Sequence, residues 1–287
     1  MNTLELVKLG RLMELTEGTP AISIGLIDGP VALHRDLSGA QRILAGGIEV
    51  CKDVQSRACS HGTFITGILS ASRGSAAPGL CPACELLIRP IFNETDRDRP
   101  ESTPEELAVA MRETVDAGAR IINISASHWL PLSQEHNALK YALDYVLSRG
   151  TIVVAATGNQ GIIGSSPITR HPWVIPVAAC NSEGQPMSQS NFGRSSGRRG
   201  ISAPGEKITS LGPNRELLTF TGTSAATPFV TGTIALIWSL FPSTSAADIR
   251  RCFIEAHRHK FTTVVPPLLD AWAAYQGVKN ILEGGNV

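Results

Sequence analysis

Three side chains far apart in the chain could together activate a hydroxyl: Asp28, His61 and Ser224. A serine hydroxyl is a weak nucleophile at neutral pH. It becomes a strong one when a histidine takes its proton and later returns it to the leaving group. A carboxylate must then fix the imidazole tautomer and stabilise the cation that forms. A fourth group must hold the oxyanion that develops at the attacked carbonyl. Asn159, at the end of Ala155-Ala-Thr-Gly-Asn159, is a candidate amide donor, beside the backbone N–H of Ser224. Each residue alone has an ordinary explanation. Asp28 precedes Gly29-Pro30, a turn; His61 reads as a structural or exposed histidine; Ser224 reads as a helix N-cap. Their contexts argue for the joint reading.

The elements that would carry them alternate between strand and helix. Ala21–Ile27 (AISIGLI) is a β-rich run that delivers Asp28 at its carboxyl end. In an open α/β sheet, functional groups gather at that end. His61-Gly62-Thr63 opens a helix running to about Ser72, and Glu85–Ile91 is the next strand. Asn93–Glu101 is polar and reads as an exposed loop. Thr103 then caps a helix that has Pro104 at its first position and Glu106 closing a capping box; Gly118 stops it after Ala117. Ile121–Ser125 is a strand, Gln134–Arg149 an amphipathic helix ended by Gly150, and Thr151–Thr157 an apolar strand suited to burial on both faces. Val174–Ala179 is a further strand, and Asn181–Gly205 reads as loops. Gly222 allows a sharp approach to an apolar helix that runs from Ser224 to about Leu240, with Ser224 at its positive end. Shorter helices are expected at Ala246–His257 and Pro267–Gln276. The pattern predicts an α/β fold of three layers, a mostly parallel twisted sheet with helices on both faces. Residues 1–287 read as one domain, with 1–20 as an N-terminal helical extension.

Composition narrows the classes. Apolar residues make up 43% of the 287, enough for a sizeable core, and charged residues only 17%. The 25 basic and 25 acidic residues cancel, so no global field favours nucleic acid or a membrane surface. The first residues interleave apolar and charged side chains and lack the core of a signal peptide. No stretch of about 18 apolar residues occurs, so no membrane insertion is expected and the simplest location is cytoplasmic. Six cysteines are present: Cys51, Cys59, Cys81, Cys84, Cys180 and Cys252. Packed thiols, a disulfide and a zinc site at Cys51, Cys59, Cys81 and Cys84 all remain open. The long Cys51–Cys59 gap speaks against zinc.

Asp28-Gly29, His61-Gly62-Thr63, Ala155–Asn159 and Gly222-Thr-Ser-Ala-Ala-Thr-Pro228 together resemble the motifs of the subtilase (subtilisin-like serine protease) family. They occur in the family's order, Asp then His then Ser, and the resemblance covers roughly Ile22 to Trp238. It implies a subtilisin-like fold and a serine endopeptidase that works through an acyl-enzyme. Asp28, His61 and Ser224 would be its triad and Asn159 its oxyanion donor. It also implies a pocket for the residue before the cleaved bond, walled by Ser125, Ala126 and Ser127 on one side and Ala155, Ala156, Thr157 and Gly158 on the other. Gln160 would lie at its rim and Ser166 near its floor. None of these is acidic, so a small or apolar residue should fit. Relatives often bind structural calcium, but no compact acidic loop here offers six to eight oxygens, so no metal or cofactor is expected to be required.

The departures from the family pattern concern geometry and selectivity. Asp-Ser-Gly or Asp-Thr-Gly is usual where this chain has Asp28-Gly29-Pro30, and the usual methionine after the nucleophile is Ala225. Ser125-Ala126-Ser127-His128-Trp129 carries side chains where relatives have glycines that pair with substrate. The facing edge falls in Asn93–Glu101, whose four acids and two bases read either as a solvated loop or as a selector of charged substrate residues. Cys81 and Cys84 stand where relatives often have alanines, which suits packing or a mutual cross-link. Secreted members carry a folding prosegment, whereas about 20 residues precede the first core strand here. The Asp-Gly-Pro motif and short N-terminus look like the leader-cleaving proteases of the cyanobactin type, which act on a precursor peptide. Two alternatives stand beside hydrolysis: a transpeptidase or macrocyclase on the same fold, and a catalytically inactive peptide-binding scaffold. Macrocyclases of that kind carry an extra helical insertion for which the sequence leaves no obvious room. Oligomeric state is not encoded in any of these features.

Overall fold

A computed structural model describes residues 3–37, 41–43, 51–92, 94, 102–125, 137–258 and 262–284. Helices α1 (Thr3–Leu6) and α2 (Leu9–Leu15) lead into strand β1 (Ser23–Asp28). Then come β2 (Gln41–Ile43), α3 (Arg57–Ser70), β3 (Glu85–Pro90), α4 (Pro104–Asp116) and β4 (Ile121–Ile124). The middle of the chain holds α5 (Asn137–Ser148), β5 (Ile152–Ala156), α6 (Pro167–Arg170), β6 (Ile175–Cys180), α7 (Arg194–Arg199) and β7 (Ile201–Pro204). Strands β8 (Ile208–Leu211) and β9 (Leu217–Phe220) precede α8 (Thr223–Leu240), α9 (Ala246–Ala256) and α10 (Ala271–Gly284).

Seven strands form one parallel sheet in the order β2-β3-β1-β4-β5-β6-β7, and β8 and β9 pair as an antiparallel hairpin. Side chains alternate across the sheet as a two-residue period requires. Ile121, Ile152 and Val154 face one core, shared with α2, α3, α8, α9 and α10. Ile122, Ile124, Val153 and Ala155 face the other, shared with α4 and α5. These are the three layers expected from the sequence. Helix α8 has the length and hydropathy to cross a membrane, but 83% of that window is buried inside the fold, where it is the central helix of the larger core.

Several elements differ from the sequence reading. The helix carrying His61 begins four residues earlier, because the Ser56 hydroxyl accepts from the Cys59 N–H and caps it. His61 therefore sits in the second turn. The stretch read as loops, Asn181–Gly205, contains α7 and the edge strand β7, which gains its identity by pairing with β6 rather than from its own short sequence. The helix expected at Pro267–Gln276 starts at Ala271. Asp270 Oδ1 accepts from the Ala273 N–H, while Pro267 and Leu269 are held extended against Ser202. Strands β2, β8 and β9 were not anticipated. The first residues are no loose appendage, since Val7, Leu9 and Leu12 are fully buried in the main core.

Candidate active site

Asp28 is the last residue of β1, which lies between β3 and β4 in the sheet. The chain leaves β1 toward one neighbour and later returns to the other side. The carboxyl end of β1 is therefore a switch point, where a crevice opens. Gly29 follows because the first turn of α3 presses on it: a Cβ there would stand 2.0 Å from the Ala58 carbonyl oxygen. That contact gives the Asp-Gly-Pro departure a local cause. Asp28 is 0% exposed, and its Oδ1 accepts from the Gly29 N–H at 2.7 Å and meets His61 Nδ1 at 2.6 Å. Among the described residues its Oδ2 is buried without a hydrogen-bond partner. A buried carboxylate with one bare oxygen is poorly solvated, and its most effective compensation is a positive charge on His61.

The His61 side chain keeps 26% exposure, enough to meet a substrate. Burial pushes its pKa down, but the charge of Asp28 and the hydrogen bond to it outweigh burial, and the net shift is upward from 6.5. A raised value stabilises the fold below the ordinary histidine pKa, and this contribution fades as pH rises through the raised value. The imidazole must be neutral to take a proton. The rate of fluorophosphonate labelling at Ser224 should therefore rise with pH along an acid limb centred above 6.5. A limb centred clearly below that value contradicts the assignment. The His61 ring lies near-parallel to Phe220 at 6.2 Å between centroids, and Phe220 in turn lies 4.5 Å from Phe64.

Ser224 is the second residue of α8 and half-buried. The hairpin strand β9 ends at Phe220 against His61, so the chain enters α8 beside the imidazole. Among the described residues Ser224 Oγ has no hydrogen-bond partner, so the Ser–His link of the expected triad is not closed. Such links are often long before substrate binds. The loop after β5 is tied to the head of α8 twice: the Thr223 N–H donates to Asn159 Oδ1 at 2.9 Å, and the Gly158 N–H donates to Thr223 Oγ1 at 3.2 Å. Fixing Oδ1 settles which end of the carboxamide is free. Among the described residues Asn159 Nδ2 and the Ser224 N–H are left as open donors at the positive end of α8, the requirement for an oxyanion site.

The residues expected to wall the pocket lie at the carboxyl ends of two paired strands, β4 and β5. Ser125 is buried at the end of β4, where its Oγ accepts from Asn123 Nδ2 at 2.8 Å; Asn123 Oδ1 in turn accepts from Thr231 Oγ1 at 2.8 Å, joining the wall to α8. Ala155, Ala156, Thr157 and Gly158 line up behind it in β5 and the loop that follows. Ala126, Ser127, His128 and Trp129 lie outside the described residues, as does Asn93–Glu101 apart from Glu94. Ser166, expected near the pocket floor, has its hydroxyl engaged as the N-cap of α6, accepting from the Thr169 N–H.

The cysteine readings resolve unevenly. Cys51 and Cys59 form a disulfide with Cα atoms 5.5 Å apart, which joins the segment before α3 to its first turn, two residues from His61. Cys81 and Cys84, the pair considered for cross-linking, are free and buried, so packing accounts for them. The four-cysteine zinc site is thereby excluded. Among the described residues one group could approach a metal, Cys51, Cys59 and Glu94. Its two sulfurs are bonded to each other. Glu94 is occupied in accepting from the N–H groups of Lys52 and Asp53 and from Ser56 Oγ.

The model of the subtilase family matches residues 21–273. The chain belongs to the subtilase family. Among relatives, Mycosin-4 of Mycobacterium tuberculosis is 28% identical over 298 residues, covering 89% of this chain and 63% of the relative. Subtilisin DY of Bacillus licheniformis is 29% identical over 237 residues, covering 80% and 81%. The chain thus spans under two thirds of the mycosin's length. Among solved structures, the Prenylagaramide maturation protease PagA superposes with a TM-score of 0.84 at 26% identity, covering 94% of this chain and 98% of its own. A Ser-to-Ala variant of the protease domain of PatA superposes with a TM-score of 0.83 at 27% identity, covering 92% and 97%. The PatG macrocyclase domain, at 20% identity and a TM-score of 0.79, shares the fold.

Proposed function

We propose that this subtilase cuts a specific precursor peptide by hydrolysis, as a leader-cleaving protease of the cyanobactin type, with Asp28, His61 and Ser224 as its triad. The observation that carries the catalytic reading is the 2.6 Å contact between a fully buried Asp28 and His61. A carboxylate is seldom left bare in a core unless the imidazole beside it needs the charge. The kinship to PatA and PagA, both described as maturation proteases, supports the substrate class.

In this reading Ser224 Oγ attacks the scissile carbonyl carbon while its proton passes to His61 Nε2. The carbonyl π pair moves onto oxygen and is met by Asn159 Nδ2 and the Ser224 N–H. Collapse of the tetrahedral intermediate breaks the C–N bond, and His61 returns the proton to the departing amine. Water then attacks the acyl-enzyme, giving its proton to His61. The second collapse frees the carboxylate and re-protonates Ser224. Asp28 orients the ring and stabilises the imidazolium at each stage.

Incubation with a peptide library, with cut positions read by mass spectrometry, tests the reading. The expected products are linear fragments, with small or apolar residues before the cut, because none of the proposed wall residues Ser125, Ala155, Ala156, Thr157 and Gly158 is charged. Products one water lighter than the linear fragment would instead establish acyl transfer to an internal amine. Indiscriminate cutting would contradict a dedicated precursor substrate.

A further inference from the structure

We propose that Asn191 is a positioning residue that clamps the loop carrying Asn159 and so aims the oxyanion donor; this rests on Asn159 being that donor. Asn191 lies after β6, 5% exposed, in a stretch with no catalytic signature in the sequence. Nearly all its hydrogen-bonding capacity goes into one loop. Its Oδ1 accepts from the N–H groups of Gln160 at 3.1 Å and Ile162 at 3.2 Å. Its Nδ2 donates to the Thr157 carbonyl at 3.0 Å and to Gln160 Oε1 at 2.6 Å. Its own N–H donates to the Gly158 carbonyl at 2.9 Å. Residues on both sides of Asn159 are thereby held by a single side chain.

The clamp is itself anchored. The neighbouring Ser190 is fully buried, and its hydroxyl accepts from the Ala179 N–H in β6 at 3.0 Å. The loop can approach so closely because residue 158 is glycine: its φ is +104°, and a Cβ there would lie 2.4 Å from Asn191 Nδ2. Asn159 points away from the clamp and toward α8, where the Thr223 N–H takes its Oδ1. Thus α8 sets the rotation of the carboxamide and Asn191 sets the position of the backbone that bears it. An oxyanion donor works because it is in place before charge develops. A loop free to shift by about 1 Å loses much of that advantage, on the order of 10²-fold in rate. A bland structural asparagine would stabilise the loop equally but would have no preferential effect on the chemical step.

The test is a double-mutant cycle of Asn191→Ala and Asn159→Ala in the full chain, with p-nitrophenyl butyrate as substrate, so that peptide specificity does not intervene. Circular dichroism confirms folding at the assay temperature. Asn159→Ala is expected to lower kcat by about 10²–10³-fold. Asn191→Ala should lower kcat by about 10–100-fold with KM changed less than about twofold. Added to Asn159→Ala, it should cost less than about twofold more, because the donor it serves is gone. An equal loss in both backgrounds, a loss confined to KM, or no loss overturns the proposal. Should Asn191→Ala fail to fold, the cycle with Asn191→Asp decides it. That variant keeps the two accepted bonds but replaces the Nδ2 donor with an oxygen that faces the acceptors Thr157 O and Gln160 Oε1. If Asn159→Ala itself is fully active, the reading of the site fails and the clamp with it. If Asn159→Ala is crippled while the Asn191 variants are not, only the clamp fails.

Discussion

Ser224→Ala is expected to lower peptide hydrolysis by roughly 10⁴-fold or more and to abolish fluorophosphonate labelling, while leaving the fold intact. The two halves of this result have separate causes. The nucleophile has no substitute: the neighbouring hydroxyl of Thr223 accepts from the Gly158 N–H, and that of Thr227 donates to the Thr223 carbonyl. The stability of α8, by contrast, rests on its buried apolar residues and not on Ser224, whose hydroxyl has no partner among the described residues. The melting temperature should therefore move by no more than about 2 °C, since a surface-like truncation without lost contacts costs at most about 0.5 kcal/mol. Because the triad acts as a unit, His61→Ala and the double variant should be about as inactive as Ser224→Ala alone. Hydrolysis above about 1% of the unmodified rate in folded Ser224→Ala protein would remove Ser224 from its role. If Ser224 also fails to take the probe in the unmodified chain, the inactive peptide-binding scaffold becomes the better description.

The sheet and its two faces were legible because both are written in short-range pattern. Thr151–Thr157 is apolar at nearly every position, and Thr103-Pro104-Glu105-Glu106 announces a helix that the structure starts at Pro104. Elements defined by partners at a distance were not legible. Strand β7 is four residues long and exists because β6 pairs with it; β8 and β9, also four residues each, hold as strands by pairing with each other. The same division holds in the site. Asp28, His61 and Ser224 stand out as candidates in the sequence because their types and order carry chemistry. Asn191 was missed because an asparagine in a polar stretch looks like any turn residue, and its five bonds to the 157–162 loop appear only on folding. The Cys51–Cys59 bond was missed for a related reason: the wide gap that spoke against zinc is closed by the Ser56-capped turn that brings Cys59 back toward Cys51.

Asp28→Asn separates electrostatics from geometry at the heart of the site. The amide has the same shape as the carboxylate, so the Gly29 and His61 contacts can persist through its oxygen, and the change should be tolerated sterically. The charge is lost, and with it the Coulombic effect that raises the pKa of His61; burial, the largest single effect, then outweighs the hydrogen bond that remains. His61 should consequently move from above 6.5 to below it, and the acid limb of the labelling rate should move with it. This downward shift would leave more neutral imidazole at pH 7, which taken alone favours reaction. Turnover should nevertheless fall by about 10⁴-fold, because the imidazolium formed during attack no longer has a counter-charge and the amide can stabilise the wrong tautomer. A base that is more available yet far less effective distinguishes transition-state stabilisation by Asp28 from simple orientation. If the acid limb stays where it was while turnover collapses, the contact at 2.6 Å positions the ring without setting its charge. If turnover survives within about tenfold, Asp28 is a structural carboxylate and the triad is not the source of the activity.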